Sequence, residues 1–140
     1  MDIVIKSGTW SELQADASPV RFAVFVDEQQ VPRDMELDEF DPVSLHVVAY
    51  DLSARAIATG RLLPDGHIGR MAVLREARGE QVGAKVLLTL IAQGRKAGHS
   101  EFVLSAQTHA VGFYVRFGFV AEGAEYLDAG IPHLQMRLRV

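Results

Sequence analysis

Apolar and polar positions change their spacing several times along the 140 residues, and each change marks an element. Ile3 to Lys6 is a short β-branched run that closes at Ser7-Gly8, which predicts a strand. Ser18 followed by Pro19 predicts a helix start, and Phe22, Phe25 and Val26 recur at i, i+3 and i+4 as its buried stripe. Residues 32–42, polar and acidic between Pro32 and Pro42, read as a loop. Leu45–Asp51, Arg55–Leu63 and Ile68–Leu74 read as strands. Short turns at Leu52-Ser53 and Pro64-Asp65-Gly66 make them antiparallel neighbours. From Glu80 to Ala97 the period becomes helical, with Gly83, Val86, Leu87, Leu90, Ile91 and Gly94 on one side and Gly98 as the stop. Phe102–Ala106 is nearly continuous in apolar residues, the pattern of a strand covered on both faces. A short helix from His109 to Phe117 ends at Gly118, and strands follow at Phe119–Glu122 and His133–Val140. The last alternates Leu134, Met136, Leu138 and Val140 with polar residues, so one of its faces is wet.

That order is one strand, a helix, three strands, then helix, strand, helix and two strands. It predicts a single α/β domain over residues 1–140, a mixed sheet with helices on its faces. Composition agrees: 49% hydrophobic and 23% charged residues are ordinary for a soluble globular chain. The chain has no cysteine, which excludes disulfides, Cys-ligated zinc and thiolate catalysis. With an acid at position 2 and no apolar run behind it, no signal peptide is expected. Val86–Ala92 is far too short to cross a bilayer, so a cytoplasmic protein without membrane partners is expected. A net charge of −4 argues against nucleic acid as a partner.

Two segments stand out chemically. Between the strand ending at Leu74 and the helix starting near Glu80, Arg78 and Gly79 occupy a short turn. The first amides of a helix have no internal acceptors and lie at the positive end of its dipole, so such a turn makes an anion cradle. It equally suits a plain helix start in which Gly83 serves packing. The second segment is the acidic run Glu36, Asp38, Glu39 and Asp41. It reads either as a solvated loop or as an electrostatic funnel for a cationic substrate. Arg61, inside an apolar strand, is expected to pair with one of these acids. The run lacks the glycine-containing spacing of a calcium loop, and no metal is expected.

Arg78-Gly79-Glu80-Gln81-Val82-Gly83 resembles the Gln/Arg-x-x-Gly-x-Gly/Ala signature of the Gcn5-related N-acetyltransferase (GNAT) superfamily, with Gln81 where the signature has its first Gly. Ala106-Gln107, Ala110, Phe113-Tyr114 and Phe117-Gly118-Phe119 are similar to its companion motif. The ElaA-like branch is resembled by Arg21–Gln29, Asp38–Asp41, His46, Thr59–Leu62 and Gly130–His133. These blocks run in family order from residue 21 to 136.

The resemblance implies a mostly antiparallel central sheet, helices on both faces and a splayed parallel strand pair that admits acetyl-CoA as co-substrate. Its diphosphate would rest on the amides of Arg78, Gly79, Glu80, Gln81, Val82, Gly83 and Ala84. Its pantetheine arm would pair with the strand at Met71, Ala72 and Val73, with Gln107, Ala110 and Phe113 beside it. A backbone amide near Val73 would hold the carbonyl oxygen. The function implied is transfer of an acetyl group to the primary amine of a small molecule by direct attack in a ternary complex. The alternative, prompted by Gln81, is a non-catalytic acyl-CoA-binding sensor. Tyr114 is the implied acid for the departing thiolate, a phenol near 10 protonating a thiol near 8.5, uphill by about 1.5 units. Read by spacing alone, Phe113 and Tyr114 are as well explained as packed aromatics. Glu28, His46 and His133 are the candidate bases, with a water chain as a further route. A homodimer is compatible with the superfamily, and nothing in the composition demands it.

Overall fold

The computed structural model describes all of residues 1–140. β1 (Val4–Gly8) leads into α1 (Trp10–Arg21). The helix starts eight residues before the expected Ser18 because Thr9 and Glu12 form a capping box: each side chain bonds the other's backbone amide. Pro19 therefore lies inside the helix. The chain then widens into a π-helical stretch, Phe22–Glu28, with Gln29 N–H reaching the Val24 carbonyl and Val31 N–H reaching Phe25. Two 3₁₀ turns, Arg33–Met35 and Asp41–Val43, structure the segment expected to be plain loop.

β2 (Leu45–Tyr50), β3 (Ala56–Leu62) and β4 (His67–Val73) form the antiparallel meander; α2 spans Val82–Lys96, β5 Glu101–Gln107 and α3 Val111–Val115. β6 (Val120–Asp128) and β7 (Ile131–Arg139) make a hairpin longer than their sequence pattern indicated. The seven strands lie in the order β1-β2-β3-β4-β5-β7-β6, a mostly antiparallel sheet in which only β4 and β5 run parallel. This is the mixed α/β architecture expected.

The two faces are covered by different helices. Leu13 and Ala17 of α1 pack on Val48 and Tyr50. On the opposite face, Val86 and Leu90 of α2 approach Gly60, where a Cβ would stand 2.7 Å from Leu90 Cδ1. Val82, Val86, Leu87 and Leu90 of α2 are fully buried, each contributing about 1.5–3 kcal/mol of apolar transfer.

The parallel pair is short. β4 meets β5 only at His67–Val103 and Ile68–Leu104. Beyond that, the register of β4 against β3 slips opposite Gly60, and Arg70 takes a φ of +50°. One extra residue in a strand bends it away from its neighbour. β4 thus stays with β3 through Ala72 and Val73, β5 stays with β7, and a wedge opens between Met71–Val73 and Ser105–Gln107. No helix is long and apolar enough to cross a membrane.

Candidate active site

The wedge continues into a cleft of about 1430 Å³. Met71, Ala72 and Val73 form one wall, and Leu104, Ser105 and Gln107 the other; Phe113 and Tyr114 of α3 and Phe117 of the turn after it close the cleft. The π-helical stretch contributes Val24, Phe25 and Glu28.

At the open end, Gly79 (φ +81°) and Gln81 (φ +61°) both take left-handed backbone conformations just ahead of α2. A non-glycine residue there costs roughly 1 kcal/mol, and the cost is met at the position where the signature has glycine. The amides of Gly79, Glu80, Gln81, Val82, Gly83 and Ala84 find no acceptor within the chain; Lys85 is the first that does, on the Gln81 carbonyl at 3.2 Å. No side chain caps the helix, and a Cβ added at Gly79 would meet nothing within 4 Å. Six consecutive donors with room before them suit a diphosphate, which accepts hydrogen bonds and carries negative charge toward the helix dipole. The Arg78 amide is not among them, because it bonds the Arg75 carbonyl. Glu80 does not line the cleft; its carboxylate meets the N-terminal ammonium at 3.2 Å.

Arg78 ties the cleft walls together. Its Nε donates to the Val73 carbonyl at 3.0 Å, and its two Nη atoms donate to Glu28 at 2.6 Å each. This fork holds the Glu28 carboxyl below the usual range. Glu28 therefore lies in the cleft, but as an engaged anion. It is a poor proton acceptor.

Tyr114 lines the cleft, its ring edge-on to Phe113 (5.1 Å) and Phe119 (5.9 Å). Burial pushes its phenol up to about 12, and no hydrogen bond enters that shift. His133 also lines the cleft; its Nδ1 meets the Ile131 carbonyl at 2.6 Å and its ring stacks on Tyr126, which hydrogen-bonds Ser105. Gln107 pairs reciprocally with Gln29, at 2.8 Å and 3.4 Å, linking β5 to the π-helical stretch. Ala110 and Phe113 lie on the cleft wall.

His46 is elsewhere. It is buried on the α1 face, 4.8 Å from the Trp10 ring, with Nε2 on the Asp41 carbonyl. Burial keeps it on the neutral side of its ordinary titration, and it does not border the cleft.

The acidic run is neither a solvated loop nor an open funnel. Glu36 and Asp41 are buried, and three arginines meet the run. Arg21 reaches Glu36 at 2.8 Å and Asp41 at 2.7 Å; Arg61 reaches Asp38 and Asp41; Arg70 reaches Asp38 at 3.1 Å. Burial opposes the charge on Asp41, yet Arg21 in particular holds its carboxyl below the usual range. For Glu36 burial prevails over Arg21 and its carboxyl is raised. This network fastens residues 33–43 to α1, β3 and β4.

Among the cleft residues, Gln29, Arg70, Ser105, His109 and Arg116 were not anticipated as site residues, and Glu36 was anticipated only as a member of the acidic run. Gln29 lies one turn beyond Phe25, so helical spacing was the available signal. Arg70 carried none, since its place depends on a bulge.

A model of the Acetyltransferase (GNAT) domain matches residues 13–140. The chain is 43% identical over 125 residues to the uncharacterized N-acetyltransferase YjcF of Bacillus subtilis, covering 86% of this chain and 89% of that one. It is 32% identical over 129 residues to ElaA of Escherichia coli, covering 86% and 84%. Among solved structures, an acyl-CoA N-acyltransferase from Pseudomonas aeruginosa superposes with a TM-score of 0.87 at 30% identity, covering 97% of this chain and 99% of that one.

Proposed function

The chain belongs to the GNAT family of acetyltransferases, and from that premise we propose that it carries an acetyl group from acetyl-CoA to the primary amine of a small molecule, both bound together. The observation that carries this reading is the run of six unpaired amides, residues 79–84, at the mouth of a wedge whose β4 edge is free of strand partners.

In this reading the amides of residues 79–84 hold the diphosphate. Met71 and Val73 offer main-chain groups to the pantetheine amides in the manner of an added strand. Acetyl-CoA supplies an activated acyl group as a thioester. The chain's own part is to align that thioester with the amine, which turns a bimolecular reaction into an effectively unimolecular one. Tyr114, protonated at every physiological pH, donates to the sulfur as it leaves. Of the three bases expected from sequence, His133 alone borders the cleft with a ring nitrogen, Nε2, left without a partner in the chain.

A binder without turnover draws its support from Gln81. That support is weakened by the left-handed backbone at Gln81, which keeps its amide in the unpaired run. Thiol release from acetyl-CoA, measured against a panel of primary amines, tests the reading. Amine-dependent release is the expected result; acetyl-CoA binding with no release from any amine would favour the binder.

A further inference from the structure

We propose that the Glu36 carboxylate is the subsite for the acceptor, holding a primary alkylammonium ion and taking its proton. The inference rests on the acetyl-transfer reading above and assigns the other half of the same cleft.

Glu36 borders the cleft, yet its side chain retains only 3% of its exposure. Both arginine contacts go to one oxygen: Arg21 Nε lies 2.8 Å from Oε1, and Arg70 Nε lies 3.6 Å from it. Oε2 accepts no hydrogen bond from the chain and is not sealed from solvent, since Arg61 Nε is the one sealed polar side-chain atom left without a partner. A largely buried carboxylate with one committed oxygen and one open to the cleft offers a charge-assisted acceptor to a donor that enters there.

Its position matters as much as its free oxygen. The Glu36 carbonyl accepts from Arg21 at 2.8 Å and from Arg70 at 3.2 Å, and Arg70 is the bulge residue at which β4 leaves β5. The wedge therefore narrows to its apex beside Glu36, at the opposite end from the cradle at residues 79–84. A thioester lying along Met71–Val73 would point its acyl end toward that apex.

The surroundings set the proton balance. Arg21 from α1 and Arg70 from β4 favour the anion; Asp41 and burial oppose it, and Arg61 and Asp38 complete the charged shell. Glu36 takes one proton from the ammonium and later passes it to solvent. The neutral nitrogen forms the N–C bond, the C–S bond breaks, and the nitrogen's second proton ends on sulfur with Tyr114 as the donor to the thiolate. Ammonium plus thioester thus gives amide, thiol and one released proton.

The test is the kinetics of E36Q with an alkylamine that the wild type acetylates. We expect kcat/KM for the amine to fall by roughly 100-fold or more. Acetyl-CoA affinity should stay within about threefold, and the acidic limb of the pH profile should vanish. Wild-type-like kcat/KM overturns the proposal, and so does an acidic limb that survives E36Q and is lost in H133N. Should E36Q fail to fold, E36D keeps the charge against Arg21 while withdrawing it by one methylene: a raised amine KM supports the subsite and an unchanged KM overturns it. A wild type that binds acetyl-CoA and acetylates no amine removes the parent reading and this one with it, whereas an unaffected E36Q beside an active wild type removes only this one.

Discussion

Replacing Tyr114 with Phe separates chemistry from architecture more cleanly than any other single change. The phenol is pushed up to about 12 by burial, and an ordinary thiol lies near 8.5, so complete proton transfer to a thiolate is uphill by roughly 3.5 units, or about 5 kcal/mol. The same burial raises the thiol, which makes this an upper bound. A donor so reluctant acts by holding a hydrogen bond to sulfur and yielding its proton only as the C–S bond breaks. Loss of a general acid costs roughly 100- to 10,000-fold, and a kcat reduction near the lower end is expected for Y114F. Acetyl-CoA affinity should be unchanged because the amides at 79–84 are untouched. Stability should hardly move, since the hydroxyl has no partner in the chain to orphan. Stopped thiol-release assays and thermal unfolding on the same samples check both halves. Turnover within threefold of wild type, at matched acetyl-CoA saturation, would refute Tyr114 as the acid.

Q81G removes the Cβ from a left-handed position, a relief of about 1 kcal/mol that the extra freedom of glycine in the unfolded chain offsets. Its Tm should stay within a few degrees and its acetyl-CoA affinity within about threefold; a tenfold gain would show that the glutamine side chain obstructs the cradle. G94A places a methyl 2.4 Å from Phe102 Cε1 and 2.7 Å from Cζ. Overpacking should cost about 1–3 kcal/mol despite alanine's better helix propensity, read as a lowered denaturation midpoint without loss of acetyl-CoA binding at 25 °C. Tyr50, raised to about 12 by burial and by its hydrogen bond to Asp16, stabilises the fold fully below pH 10 and loses that contribution as pH rises through 12. Y50F should therefore flatten the alkaline fall in stability, and ultraviolet titration of native wild type should show Tyr50 and Tyr114 still largely protonated at pH 11.

Most of the sheet was legible because its strands are β-branched runs separated by turn residues, and α2 because its buried stripe keeps one period from Val82 to Gly94. α1 was misplaced at Ser18 because Pro19 reads as a first-turn residue, while the Thr9–Glu12 capping box is a two-residue signal in a polar stretch. The wedge was visible only through the family signature: the bulge at Arg70 arises from pairing against Gly60, and no local pattern encodes it. The acidic run misled for a related reason. Glu36 and Asp41 are buried by arginines 15 or more residues away on α1, β3 and β4, and charge in sequence reads as exposure. His46 interrupts a continuous apolar run in β2, a pattern that does not tell which face of the sheet it takes, and the face proved to be that of α1.

The central claim is that main-chain donors at residues 79–84 grip a diphosphate, and calorimetric titration with acetyl-CoA beside acetyl-pantetheine tests it most directly. Saturable acetyl-CoA binding, with the diphosphate-free fragment weaker by roughly 100-fold, about 2.7 kcal/mol, is the predicted result. Equal affinity for both compounds, or no heat at millimolar acetyl-CoA, would contradict it.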